Sequence, residues 1–275
     1  MLKSGRLKAV LTTVLSAIAF AALVFLIIFA FQKSQEKQLL KDLTEKDILL
    51  SAALSVTAQT GCLGTVENSY LSAKTGVNAG AQAISADISF RKDGTPVLAA
   101  TLKDADDDAV TLERIFQYLA DEDKENISMI LNIKQATNLP AIEILVEQYA
   151  MRNRIFFTGA NENQTPFLQH KAPSVSIYLE LCPQKSKLDD PLYCSELAET
   201  AINLGVSGVN CDSKLVSKTL IETVKIYGLA FSVYGVEKEV DFYRMLDMGV
   251  DNIITKDPKT LILIIQAIQT KAAMR

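Results

Sequence analysis

Two charged residues stand where a strand end would deliver chemistry. Asp87 lies in the apolar run AISADISF and Lys134 closes ILNIK, so both would point from strand ends toward the mouth of a barrel. A second acidic group, Asp104, Asp106, Asp107 and Asp108, offers carboxylates for a cation. A charge run in a connecting loop is, however, more often simply solvated. The chain has one histidine, His170, which excludes paired imidazoles and a histidine-rich metal site. Cys62, Cys182, Cys194 and Cys211 show no CxxC or zinc-type spacing. Cys182 and Cys194 flank PQKSKLDDPLY and would close that loop as a disulfide outside the cytoplasm; buried free thiols are the alternative.

The 275 residues carry a formal net charge of -4, with Lys and Arg scattered rather than striped, which excludes a nucleic-acid partner. Residues 9–31, AVLTTVLSAIAFAALVFLIIFAF, are free of charge and as a helix would span about 34 Å, the thickness of a bilayer core. The run is too long for a signal-peptide core, so it predicts a single-pass anchor in the cell membrane. Lys3, Arg6 and Lys8 before it are balanced by Lys33, Lys37 and Lys41 after it. The common arrangement for such anchors and the cysteine pair favour an extracytoplasmic domain. The expected organisation is a basic tail at 1–8, a transmembrane helix at 9–32, a juxtamembrane helix or linker at 33–50, and a domain at 51–275.

Within that domain strand and helix signals alternate. Strand-like runs fall at 51–60, 83–90, 128–133, 155–158, 174–179, 208–210, 229–234 and 252–254. Helical patterns lie between them, for example at 112–119, 141–151, 195–204, 214–227 and 237–248, with a last helix at 258–273 opened by Pro258. Eight such units in about 225 residues predict an α/β fold, a (β/α)8 TIM barrel preceded by the transmembrane helix.

The stretch GTVENSYLSAKTGVNAGAQAISADISFRKDGTPVL, with GLAFSVYGVEKEVDFYRMLDMGVDNIITKDP near the C-terminus, resembles the glycerophosphodiester phosphodiesterase family. Members of that family run AHRG, PENT, a helix, GAD-x-x-E-x-D, TKDG and V-x-x-HD, and end in WTVN and GVD-x-I-x-TD-x-P. The resemblance covers most of the chain from residue 51 onward. It implies a barrel with two catalytic histidines, a phosphate-binding arginine and three carboxylates on a divalent cation. Carried over position by position, the histidines fall on Gln59 and Ala100, the arginine on Thr60, and the aspartate of the HD pair on Thr101. The metal ligands fall on Ser85, Asp87 and Asn132, so one carboxylate remains; Lys134, Glu67 and Asn68 are kept. Only residues 102–110 separate the turn from the next helix, where the family has a longer covering segment.

The resemblance therefore implies a degenerate, pseudoenzyme-like member with no catalytic residue assigned. Its ligand-binding candidates are Asp87, Lys134 and Glu67, and its expected partners are the membrane and a phosphate-bearing small molecule or an envelope protein. An active phosphoric diester hydrolase of lipid metabolism, with Ca or Mg on a rearranged site built from Asp87, Glu67 or the 104–108 loop, is the second reading. A purely structural envelope protein is the third.

Overall fold

Along Ser176–Leu181 burial alternates: Ile177, Leu179 and Leu181 are buried, whereas Ser176, Tyr178 and Glu180 are partly open. A strand covered on one face by helices and turned on the other toward a cavity gives that pattern. The computed structural model describes residues 2–121 and 124–274, with side chains from residue 15 onward except those of 16, 17 and 19. The chain forms two units, Met1–Lys46 and Asp47–Arg275.

The first unit is helix α1, Leu2–Glu45. Its apolar side chains stand exposed, Phe20, Phe25, Leu26 and Ile27 each by 60% or more. The helix runs unbroken through residues 33–45, and the second unit begins at Asp47. Among the described residues, no helix is long and apolar enough to cross a membrane. The side chains of the basic tail and of positions 9–14, 16, 17 and 19 in the apolar run lie outside the described residues.

The second unit is a closed barrel. Parallel strands β1 Ser55–Ala58, β2 Ala83–Phe90, β4 Ser128–Ile133, β5 Ile155–Ala160, β6 Ser176–Leu181, β7 Gly208–Asp212, β8 Ala230–Tyr234 and β9 Asn252–Thr255 pair around the ring, and β1 pairs with both β9 and β2 to shut it. Helices α2 Tyr70–Asn78, α3 Leu112–Leu119, α4 Leu139–Gln148, α5 Thr165–Lys171, α6 Pro191–Asn203, α7 Lys218–Ile226, α8 Glu239–Met248 and α9 Pro258–Ala273 alternate with them. This is the expected (β/α)8 architecture. The short strand β3, Pro96–Leu98, was not anticipated; it pairs antiparallel with β2 across the Lys92-Asp93-Gly94 turn.

Several boundaries move for local reasons. Strand β1 starts at Ser55 rather than 51, because Ser51 folds a turn in which its carbonyl accepts from the Leu54 amide and its hydroxyl from the Ala53 amide. Strand β6 starts at Ser176 rather than 174, since a turn from Val175 to the Ala172 carbonyl precedes it. Helix α7 starts at Lys218 rather than 214, where the Ser217 hydroxyl accepts the Leu220 amide; Asp212 caps a separate 3-10 turn, Ser213–Leu215. The lone histidine, His170, lies in the last turn of α5.

Part of the barrel interior is polar. Thr57 Oγ1 donates to Asn252 Oδ1 at 2.7 Å, and Asn252 Nδ2 donates to Ser232 Oγ at 2.9 Å, all three residues buried. At the opposite end from the mouth, Lys225 Nζ donates to Asp251 Oδ1 at 2.7 Å, to the Gly249 carbonyl at 2.7 Å and to Ser51 Oγ at 3.2 Å. Asp251 Oδ2 accepts the Phe231 amide, and Ser51 donates to Oδ1. The cluster fastens the start of the barrel chain to its last two strands.

Candidate functional site

Strand ends converge on a cavity of about 600 Å³ at the carboxyl end of the barrel. Register explains who meets there. Asp87 of β2 is level with Asn132 of β4, which is level with Thr158 of β5; Glu180 of β6 is level with Asn210 of β7. With side chains alternating, these five face inward and line the cavity.

Asp87 is fully engaged. Its Oδ1 accepts from Asn132 Nδ2 at 2.8 Å and lies 3.3 Å from Lys134 Nζ; its Oδ2 accepts from Asn68 Nδ2 at 3.1 Å. Asn68 also accepts the Asp87 amide at 2.9 Å, and it holds a left-handed φ of 53° while its own amide donates to Thr60 Oγ1. Asn132 reaches Asp87 because Gly159 leaves it space: a Cβ there would stand 2.2 Å from Asn132 Oδ1, and the φ of +77° also suits glycine.

The position-by-position expectations sort as follows. Gln59, Ser85, Asp87, Asn132, Lys134 and Glu67 all line the cavity. Ala100 is not among its lining residues, although its neighbour Ala99 donates to the Asp87 carbonyl at 3.1 Å. Thr101 bonds Asp104 Oδ2 at 2.6 Å in a local turn. Glu67 precedes α2, which begins at Tyr70 behind the Ser69 cap. Glu67 pairs with Lys256, Oε1 to Nζ at 2.7 Å, both side chains about half exposed. That bond, more than the nearby charges, raises Lys256 above the ordinary lysine value.

The acidic loop is organised by Arg91. Its guanidinium donates to the Asp106, Asp107 and Ala109 carbonyls at 2.8 Å each, so a cation ligated there would compete with a fixed positive charge. Cys182 and Cys194 are free, as are Cys62 and Cys211. Cys194 is buried under α6 with Sγ on the Leu188 carbonyl at 3.2 Å, while Cys182 is exposed at the cavity, so the expected bridge is absent.

Sequence reasoning missed Glu180, Asn210 and Tyr234. Glu180 Oε2 accepts from Asn210 Nδ2 at 2.9 Å. Burial pushes its carboxyl up, while hydrogen bonds from Asn210, Tyr234 and the Gly159 amide and the charge of Lys134 pull it down. Tyr234 is raised by burial and by the Glu180 charge, and burial raises Cys211 to about 12. Glu180 lies one residue past the strand expected at 174–179, on the face of SIYLEL opposite its buried residues.

A divalent cation does not suit this donor set. Hard cations want several carboxylate oxygens; here Asp87 Oδ1 is taken up by the Asn132 amide and the Lys134 ammonium and Oδ2 by the Asn68 amide, and Ser85 and Asn132 are neutral. Among the described residues, no group of three or more His, Cys, Asp or Glu is arranged to hold a metal.

Comparison with known proteins agrees with the architecture. Residues 98–260 match the model of the glycerophosphoryl diester phosphodiesterase family. A curated glycerophosphodiester phosphodiesterase of Caldanaerobacter subterraneus subsp. tengcongensis is 25% identical over 166 residues, 57% of this chain; the chain spans 61% of that relative's length. Among solved structures, a Silicibacter pomeroyi protein assigned as a glycerophosphoryl diester phosphodiesterase superposes with a TM-score of 0.67 at 16% identity, covering 83% of this chain and 98% of its own. An Oleispira antarctica phosphodiesterase, solved with its product sn-glycerol-3-phosphate, gives 0.62 at 15% identity, covering 77% and 96%.

Proposed function

The chain belongs to the glycerophosphoryl diester phosphodiesterase family, and we propose that it is a member that binds a ligand at its barrel mouth without hydrolysing it. One observation carries this reading: the Asp87 carboxylate is taken up by Lys134, Asn132 and Asn68. In the family that position shares a cation with two more carboxylates; here its negative charge is answered by protein groups. Gln59 and Ala100 at the histidine positions leave no imidazole to move a proton, and loss of one acid–base group alone costs about 10²–10⁴-fold in rate.

We further propose that residues 9–32 hold the chain in the cell membrane with the barrel on the extracytoplasmic side. The support is the charge-free sequence from Ala9 to Phe31 and the exposure of its described apolar side chains within a continuous helix.

The test uses the full-length chain purified in detergent. Incubated with glycerophosphodiesters and Ca²⁺ or Mg²⁺, it is expected to release no glycerol phosphate. Metal-dependent turnover that disappears in Asp87→Ala would overturn the reading and restore the active-hydrolase alternative.

A further inference from the structure

Four charged residues line the barrel cavity: Glu67, Asp87, Lys134 and Glu180. Asp87 is neutralised by Lys134 at 3.3 Å and Glu67 by Lys256 at 2.7 Å. Glu180 has no such ion pair: its carboxyl takes hydrogen bonds from neutral groups, Asn210 Nδ2 at 2.9 Å, the Tyr234 hydroxyl and the Gly159 amide, while Lys134, whose charge reaches it, is bound to Asp87. A carboxylate withdrawn from water without a countercharge is expensive, and the fold keeps this one at a cavity wall.

The neighbours of Glu180 add acceptors. Asn210 is 4% exposed, and with its Nδ2 on Glu180 its Oδ1 is buried without a hydrogen-bond partner. The amide cannot turn over, since that would set Oδ1 against the carboxylate. Gln59 Oε1, also on the cavity lining, is buried and unpartnered as well. The wall from Glu180 to Asn210 thus holds a carboxyl with no ion pair of its own beside two buried amide oxygens that receive no donor.

We propose that this wall is a binding subsite for a protonated primary amine, whose ammonium pairs with Glu180 and donates to Asn210 Oδ1. A primary ammonium carries one charge and three donors, which answers both deficits. A hydroxyl brings donors without charge, and a quaternary ammonium brings charge without donors. A divalent cation would find a single free carboxylate. The inference rests on the reading of this cavity as a ligand site and names the ligand's chemistry.

The test is calorimetry on the full-length chain with ethanolamine, choline, glycerol and CaCl₂ as separate probes. Ethanolamine is expected to bind, and choline and glycerol at least tenfold more weakly. Glu180→Gln, nearly isosteric, should weaken ethanolamine by tenfold or more. Asn210→Ala should weaken it by a smaller factor, and this second variant decides the matter if the first does not fold. Absence of ethanolamine binding, equal binding of choline or glycerol, indifference to both variants, or displacement of ethanolamine by Ca²⁺ would each overturn the proposal. Diester hydrolysis is read separately as product release, so a hydrolytic chain would sink the preceding reading while leaving the Glu180 result to stand or fall by itself.

Discussion

Lys134 Nζ lies 3.3 Å from Asp87 Oδ1, and Asn132, level with Asp87 on the neighbouring strand, reaches the same oxygen at 2.8 Å. The ammonium and the amide together do for this carboxylate what a cation would do elsewhere. The relationship is testable by rebuilding the missing donors. Ser85→Glu combined with Asn132→Glu puts three carboxylates on adjacent inward positions, and the double variant is expected to bind Ca²⁺ where the parent does not. At a concentration a hundredfold above Kd the gain is about 2.7 kcal/mol, roughly 5–10 °C in Tm for a domain of this size. Adding Asp87→Ala should abolish the shift; scanning calorimetry with Ca²⁺ and with chelator reads it.

Glu180 gives a pH prediction. Burial holds its carboxyl above 4.5, so the native state binds this proton more tightly than the unfolded chain does. The resulting contribution to stability is fully present below pH 4.5 and is lost as pH rises through the folded value. Glu180→Gln should therefore raise Tm at pH 7.5. The advantage shrinks as pH falls and is gone below 4.5. Parallel thermal scans from pH 4 to pH 8 check it; a gain that is flat with pH sinks the assignment.

The cluster beneath the barrel predicts an asymmetry. Asp251→Ala leaves the Phe231 amide without its acceptor and the Lys225 ammonium with only the Gly249 carbonyl and the Ser51 hydroxyl, and breaking a buried pair in this way costs about 3–5 kcal/mol. The lower end applies, because the Lys225 side chain is 33% exposed and water takes up part of its charge. Lys225→Met should cost less, since Asp251 keeps Ser51 and the Phe231 amide. Urea unfolding of the two variants, compared at constant m, gives the order.

Membrane side can be read with the protein's own thiols. Cys182 is exposed, whereas Cys62, Cys194 and Cys211 are buried. A membrane-impermeant maleimide applied to intact cells is expected to label the chain once, and Cys182→Ser to remove the label. Labelling only after lysis would put the barrel on the cytoplasmic side.

Much of the architecture was legible because a parallel barrel writes itself as apolar strands alternating with helices. Asp87 and Lys134 were legible for the same reason, being polar residues at strand ends. Glu180 was not, because SIYLEL read alone looks like a strand with one wet face. Only closure of the barrel turns that face into a cavity and its glutamate into a lining group. Strand β3 escaped because three residues show no period, although the turn before it was visible. The cysteines stayed undecided between a bridge and free thiols, since separation along the chain does not report which way a thiol points. The pairing of Glu67 was hidden for a similar reason: its partner Lys256 lies 189 residues away.

The thread from Thr57 through Asn252 to Ser232 crosses three parallel strands, β1, β9 and β8. In such strands a slip by two residues keeps every apolar side chain on its own face, so hydrophobic burial alone discriminates weakly between alignments. The thread does discriminate, because only one alignment brings the Thr57 hydroxyl to the Asn252 carbonyl and the Asn252 amide to Ser232. It works as a key that admits a single closure of the ring, and the inward directions of the mouth residues follow from that choice.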